Sequence, residues 1–263
     1  DLVILAGAQP DYRLKFLQAD TRGAGPGVYY FACNWPELSK AFGAPLPQHQ
    51  RWLTEARRRR IAFTRLVEQC GEAQARGRLH AIHIIRALRT ALPRETSLVI
   101  DGGAIGQWAH HLLCHDRYPS HWLTPGPSGA VGYGIGGAIA ARLAYPDRPV
   151  VLLAGDGAFT FNATDLERAV HQELSFVALV ADDQGWGITR EGHKRQFGEE
   201  IATSLGPVDF VGLAASLGAW AKRIERAEEL VPTLREALSI RKVAVIHVPV
   251  AGGIPTIHAQ GED

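Results

Sequence analysis

Residues Val150 to Gly187 place carboxylates at the ends of two apolar runs. VVLLA is followed by Gly155-Asp156-Gly157, and FVALVA by Asp182-Asp183. Both runs are short and rich in valine, leucine and alanine, which suits parallel strands buried on both faces. Between them Asn162 is placed to cap a helix, with Asp165 in its first turn and Leu166, Ala169 and Val170 on its apolar face. The unit reads as strand, helix, strand with a right-handed crossover. In neighbouring strands, roughly 5 Å apart, Asp156 would meet Asp182 and Asp183 at the carboxyl ends, the edge at which open α/β sheets bind ligands. Two carboxylates brought together repel unless a proton or cation lies between them, and oxygen ligands of this kind suit magnesium or calcium. Gly155 and Gly157 let backbone approach a bulky anion, and nearby amides can donate to phosphate oxygens. The plain alternative for the GDG triplet alone is an ordinary turn. The second acidic strand end is what argues for a site.

With that spacing, the chain resembles the thiamine diphosphate-dependent enzymes, especially the acetolactate synthase-like and 2-hydroxyacyl lyase group, whose motif opens with GDG and closes with a pair of asparagines. Here Asp182-Asp183 stands at the closing pair, and Asp183 follows Asp156 by 27 positions. The resemblance implies that the side chains of Asp156 and Asp183 and the Gly185 carbonyl ligate Mg2+, while Gly155, Asp156, Gly157 and Ala158 hold the diphosphate. Aspartate in place of asparagine at 183 keeps a ligand oxygen but adds negative charge beside an anionic cofactor.

Two further stretches carry the likeness. In TPGPSGAVGYGIGGAIAARLAYPDRP, residues 124 to 149, Gly129 matches the position whose carbonyl accepts from the cofactor's 4′-amino group. Val131 matches the bulky apolar residue that supports the V-shaped cofactor, where methionine, leucine or isoleucine is usual. In DGGAIGQWAHHLL, residues 101 to 113, the resemblance places Gly103, Ala104 and Ile105 near the diphosphate. Gln184, Trp186 and Ile188, on the loop expected beyond the second motif, are candidates for the substrate pocket, although Trp186 would serve equally well as a core or lid anchor.

The remaining patterning supplies the elements that must position these residues. Ser97 to Ile100 reads as a strand, followed by a helix with Trp108, Leu112 and Leu113 inward; a second helix is expected from about Tyr133 to Ala144. Beyond the site, Val208 to Leu217 reads as a helix, Ala219 to Arg223 as a strand, Glu228 to Leu238 as a helix and Val243 to Val248 as a last buried strand. The expected fold is α/β, a doubly wound, mostly parallel sheet over residues 80–250. Residues 1–50 resemble part of the family's central domain, 51–79 form a helical connector including Arg57 to Arg60, and 251–263 are a tail.

A near-neutral formal charge of +1 implies neither nucleic-acid nor membrane binding, so no nucleic-acid partner is expected. The chain shows no long apolar span or secretory signal, and Cys33, Cys70 and Cys114 lack metal-ligand spacing, so a cytoplasmic protein with reduced thiols and no membrane partner is expected. His110, His111, His115 and His121 make no recognisable zinc set, and neither a G-x-S-x-G elbow nor a P-loop is present. The resemblance implies carbon–carbon bond cleavage or formation on a small 2-keto acid or acyl donor. Acetolactate synthase-like chemistry leads; a 2-hydroxyacyl-CoA lyase, a 2-keto acid decarboxylase and a non-catalytic regulatory or assembly subunit are the alternatives. In the family an activating glutamate lies on a pyrimidine-binding domain, which nothing in this sequence covers, so that domain is expected from a separate segment or subunit of an oligomer. FAD use stays open, since relatives that bind it do so through the central domain.

Overall fold

The computed structural model describes residues 2–6, 27–31, 50–69, 77–113 and 121–253. The chain divides into two units, 1–62 and 63–263. In the first, β1 (Leu2–Ala6) pairs in parallel with β2 (Gly27–Phe31), Leu2 opposite Gly27. Helix α1 (Gln50–Gln69) carries the Arg57 to Arg60 run on exposed surface. Arg58 and Arg59 both pair with Glu55 there, each at 2.7 Å, which fits a solvated helix face better than a basic binding surface.

The second unit is built on a six-stranded parallel sheet. In chain order its elements are α2 (Ala81–Ala91), β3 (Ser97–Ile100), α3 (Ala104–Leu112), β4 (Trp122–Leu123), α4 (Gly134–Ala144), β5 (Val150–Gly155), α5 (Asp156–Thr160), α6 (Asp165–His171), β6 (Phe176–Asp182), α7 (Gly187–Phe197), α8 (Phe210–Ser216), β7 (Trp220–Arg223), α9 (Leu230–Ser239) and β8 (Val243–Pro249). The strand order is β4-β3-β5-β6-β8-β7. Winding runs outward from β3 to β4, then returns to β5 on the other side of β3. That reversal makes the crevice between the ends of β3 and β5 the switch point at which such sheets take ligands.

Alternation along the strands explains the two covered faces. On β5, Val151 and Leu153 point into one core with α2, α3 and α9, through Ile82, Ile85, Trp108 and Leu234. Val150, Leu152 and Ala154 point into the other with α4, α6 and α8, through Ile135, Leu166 and Phe210. Every residue of β3, β5, β6 and β8 is buried, and apart from Ser97, Asp182 and His247 these strands are apolar, as suits strands covered on both faces. The doubly wound α/β expectation is met, and Trp108, Leu112 and Leu113 are all inward.

Local differences have physical causes. Asn162 caps no helix: residues 156–160 already form the helical turn α5, Thr164 is the cap position of α6, and the Asn162 amide instead donates to the Gly132 carbonyl at 2.7 Å. Ile188 lies in helix α7 rather than on a loop. The three cysteines and His115 fall outside the described residues. Among the described residues, no helix is long and apolar enough to cross a membrane.

Leu152 is fully buried in the second core. Its replacement by alanine is expected to lower unfolding free energy by about 2–5 kcal/mol through lost burial and a residual cavity, read as a fall in urea midpoint at unchanged slope.

Candidate functional site

Strand register decides what meets at the carboxyl edge. Ile100 lies opposite Leu153, and Gly155 opposite Ala181, so the segments following β3, β5 and β6 end side by side. The Gly155 amide donates to the Gly102 carbonyl at 2.9 Å, and a Cβ on Gly103 would stand 2.9 Å from the Gly155 Cα. Gly103 also has φ +106°, a conformation open to glycine. Two glycines are therefore what let β3 and β5 close together at the switch point.

The β3 end is organised by Asp101, a residue whose role the sequence reading did not identify. Its buried carboxylate accepts three backbone N–H bonds: from Gly102 at 2.6 Å and Gly132 at 3.0 Å on Oδ1, and from Gly134 at 2.8 Å on Oδ2. Beside it, the Tyr133 hydroxyl lies 2.8 Å from the Ile100 carbonyl and 2.9 Å from that of Leu123, one proton shared between two acceptors. Burial, and then the nearby Asp101 charge, push this phenol above its ordinary pKa. These bonds, with the one from Asn162, fix the loop that carries Val131. The available signal was symmetry: Asp101-Gly102-Gly103 ends a buried strand much as Gly155-Asp156-Gly157 does.

Val131 is 43% exposed, and its side chain lies over Gly102, where an added Cβ would be 3.1 Å from Val131 Cγ1 and 3.4 Å from the Ala158 Cβ. Gly102, Val131 and Ala158 thus share one small apolar ledge. Gly129 has φ +61° and nothing within 4 Å of an added Cβ, so it stands in open space. Ile105 is buried in the core, whereas Ala104 faces α7, 3.3 Å from where a Gly187 Cβ would lie.

Asp156 and the turn after β6 form the acidic part of the site. Asp156 is buried and accepts the Gly185 amide on Oδ2 at 3.0 Å. Burial first, and the Asp183 charge second, hold its carboxyl well above the usual range. The Asp183 carboxyl is raised too, mainly by burial, with Arg190 opposing, and the two carboxyls are near enough for each to act on the other. Asp182 is directed elsewhere. Its Oδ2 meets His247 Nε2 at 2.9 Å, and its Oδ1 accepts the Gln184 amide at 3.0 Å. The bonds from His247 and the Gln184 amide hold its carboxyl below the ordinary value, although burial acts in the other direction. Asp182 therefore shapes the turn, leaving Asp156 and Asp183 to face one another.

The donor set fits a hard divalent cation. Asp183 Oδ2 is buried without a hydrogen-bond partner; Arg190 Nη1, at 3.8 Å, is an ion-pair neighbour beyond hydrogen-bonding distance. Among the described residues, no three His, Cys, Asp or Glu side chains converge on a metal position. Two carboxylates and a backbone carbonyl, the set implied by the resemblance, require no third side chain.

The three substrate-pocket candidates separate. Trp186 is half-buried, its indole 2.9 Å from the position of a Gly157 Cβ and edge-on to Phe161 at 5.9 Å, so it roofs the GDG turn. Gln184, at φ +54°, lines a cleft of about 250 Å³ with Arg78, Asp182, Val208 and Arg223, on the side of the turn toward β8 and β7. Ile188 is exposed at the start of α7. A return segment pairs with this turn, Trp186 N–H donating to Thr203 at 2.8 Å and Leu205 N–H to Gln184 at 2.9 Å.

Replacing Asp101 by alanine is expected to cost about 3 kcal/mol or more, because three amides lose one buried acceptor. Hydrogen exchange should show early loss of protection at Gly132 and Gly134, while the β6 amides remain slow.

Comparison with known proteins agrees with this geometry. The sequence profile of the thiamine pyrophosphate enzymes' C-terminal TPP-binding domain matches residues 101–248. A probable acetolactate synthase of Mycobacterium bovis is 31% identical over 94% of this chain and 48% of its own length. The 2-hydroxyacyl-CoA lyase 2 of Mus musculus is 35% identical over 60% of this chain and 25% of its own length. The chain thus spans at most about half the length of these curated relatives. Among solved structures, a thiamine diphosphate-dependent 4-hydroxybenzoylformate decarboxylase of Rhodococcus jostii superposes with a TM-score of 0.61 at 23% identity, over 69% of this chain and 34% of that one; this likeness speaks for the fold. With its carboxylates and glycines gathered at the switch point inside the matched segment, this chain belongs to the thiamine pyrophosphate enzymes and carries their C-terminal cofactor-binding domain.

Proposed function

We propose that this chain supplies the magnesium- and diphosphate-binding half of an acetolactate synthase-like lyase or carboligase acting on small 2-keto acids. The observation that carries the reading is the buried approach of Asp156 to Asp183 at the switch point, with Asp183 Oδ2 lacking a hydrogen-bond partner. The side chains of Asp156 and Asp183, with the Gly185 carbonyl, would hold Mg2+; the backbone of Gly155 to Ala158 and of Gly103 to Ile105 would line the diphosphate. When bound, thiamine diphosphate supplies the electron sink for making or breaking a carbon–carbon bond beside a carbonyl.

This chain's own residues then have limited tasks. Asp156 and Asp183 anchor the cation, and their mutual repulsion is relieved when it binds. Val131, held by the Asp101 network, offers an apolar ledge beneath the cofactor's bend. Trp186 covers the GDG turn with the exposed Phe161 ring edge-on to it, and Ile188 borders the edge open to substrate, whereas Gln184 lines the cleft toward β8 and β7. Gly129 would reach the aminopyrimidine through its carbonyl.

The same reading places the activating glutamate on a pyrimidine-binding domain, contributed by a segment outside these 263 residues or by a partner subunit of a cytoplasmic oligomer. Exposed apolar side chains at the carboxyl edge, Val131, Phe161 and Ile188, support a covering element there.

Titration with thiamine diphosphate and magnesium, with and without a separately produced pyrimidine-binding domain of a family member, tests the proposal. Metal-dependent binding is expected, and Asp156→Ala should weaken it by at least about 100-fold while the urea midpoint is retained. A merely structural turn predicts loss of stability with no selective effect on the cofactor. Product analysis with pyruvate, 2-hydroxyacyl-CoA and other 2-keto acids separates the acetolactate synthase-like reading from lyase and decarboxylase readings. Binding without turnover in the reconstituted pair favours a regulatory subunit.

A further inference from the structure

Both positions of the closing pair carry aspartate where the family motif has asparagine, and the structure treats the two extra charges differently. Asp182 is matched from β8 by His247 and turned away from the site. Asp183 remains beside Asp156, with its side chain only 8% exposed. A lone additional carboxylate there would stand against the diphosphate as well as against Asp156.

Arg190 projects from α7 back across the turn. Its Nη1 lies 3.8 Å from Asp183 Oδ2, its Nη2 donates to the Gln184 carbonyl at 3.3 Å, and its side chain is 16% exposed. Glu200 also approaches, 3.5 Å from Nε, and is shared with Lys194 at 3.3 Å, so Arg190 is not wholly consumed by that exposed acid. Three glycines make room for the pair. A Cβ on Gly185 would overlap the Arg190 guanidinium, one on Gly187 would lie 2.5 Å from Asp183 Oδ2, and one on Gly252 would lie 3.1 Å from Arg190 Nη1 and 3.5 Å from Asp183 Oδ2. The backbone of three separate positions is thus kept bare around one guanidinium–carboxylate contact.

We propose that Arg190 is the counter-ion of Asp183, a positioning residue that neutralises the carboxylate standing at the family's asparagine position and keeps the site compatible with a magnesium-bound diphosphate. The inference rests on the proposed function and deepens it. Arg190 faces Asp183 Oδ2 through charge, and holds the ligand turn through the Gln184 carbonyl.

The test is a four-protein comparison of the full chain: wild type, Arg190→Gln, Asp183→Asn and the double variant. Thiamine diphosphate is titrated at saturating magnesium, followed by tryptophan fluorescence, under whichever condition, with or without the added pyrimidine-binding domain, the wild type binds. Arg190→Gln should raise the cofactor Kd by roughly tenfold, as an unmatched charge near the diphosphate requires. Adding Asp183→Asn should return it to within about threefold of wild type, since the charge needing compensation is gone. A double variant as weak as Arg190→Gln would show that the arginine merely braces the turn, and would overturn the proposal while leaving the functional reading intact. Failure of the wild type to bind under either condition would overturn both. A metal-free urea cycle on the same four proteins gives an independent readout: stabilities of the singles that simply add would contradict the ion pair, whereas coupling of roughly tenfold in the folding constant would support it.

Discussion

Burial of carboxylates at neighbouring strand ends is the constraint on which this site depends. Charged oxygen is costly to remove from water unless it is paired or richly hydrogen-bonded. The chain meets that cost in three ways. Asp101 takes three backbone amides, Asp182 takes His247 and the Gln184 amide, and Asp156 takes the Gly185 amide but remains opposed to Asp183. The first two arrangements are satisfied within the protein and serve to fix loops. The third leaves a buried carboxylate oxygen without a hydrogen bond, which is where a cation adds most.

The sheet makes this arrangement possible. Parallel strands covered on both faces put all their carboxyl ends on one edge, and the reversal of winding between β3 and β5 opens a crevice there. Glycines at 103 and 155 bring the backbones together, whereas Gly157 admits the Trp186 ring above the turn. Packing and chemistry are thereby coupled: the residues that close the crevice also set its width. Helix α7 extends the coupling, because it begins within four residues of Asp183 and returns Arg190 over the same turn.

Much of this was legible in the chain. The apolar runs of β5 and β6 fixed their own character by composition, and the acids after them marked the edge at which they end. The structure adds that the two are direct neighbours, Gly155 opposite Ala181. Helix α7 was not legible, since GITREGHKRQF buries only Gly187 and so lacks an apolar stripe. The role of Asp101 was not legible because its distant partners, Gly132 and Gly134, lie 31 and 33 positions away, and a backbone amide leaves no mark in side-chain patterning. Asn162 misled for a related reason: a side chain suited to capping is equally suited to binding a distant carbonyl, and the preceding residues had already entered a helical turn.

The proposed function requires that Asp156, Asp183 and the Gly185 carbonyl enclose one divalent cation that carries the cofactor's diphosphate at the switch point. Crystals grown with manganese and thiamine diphosphate test it most directly, since manganese can replace magnesium at oxygen ligands and gives an anomalous signal. A single strong anomalous peak between these three groups, beside the diphosphate, is the expected result. A peak elsewhere on the edge, or a diphosphate bound with no metal between the two aspartates, would contradict it.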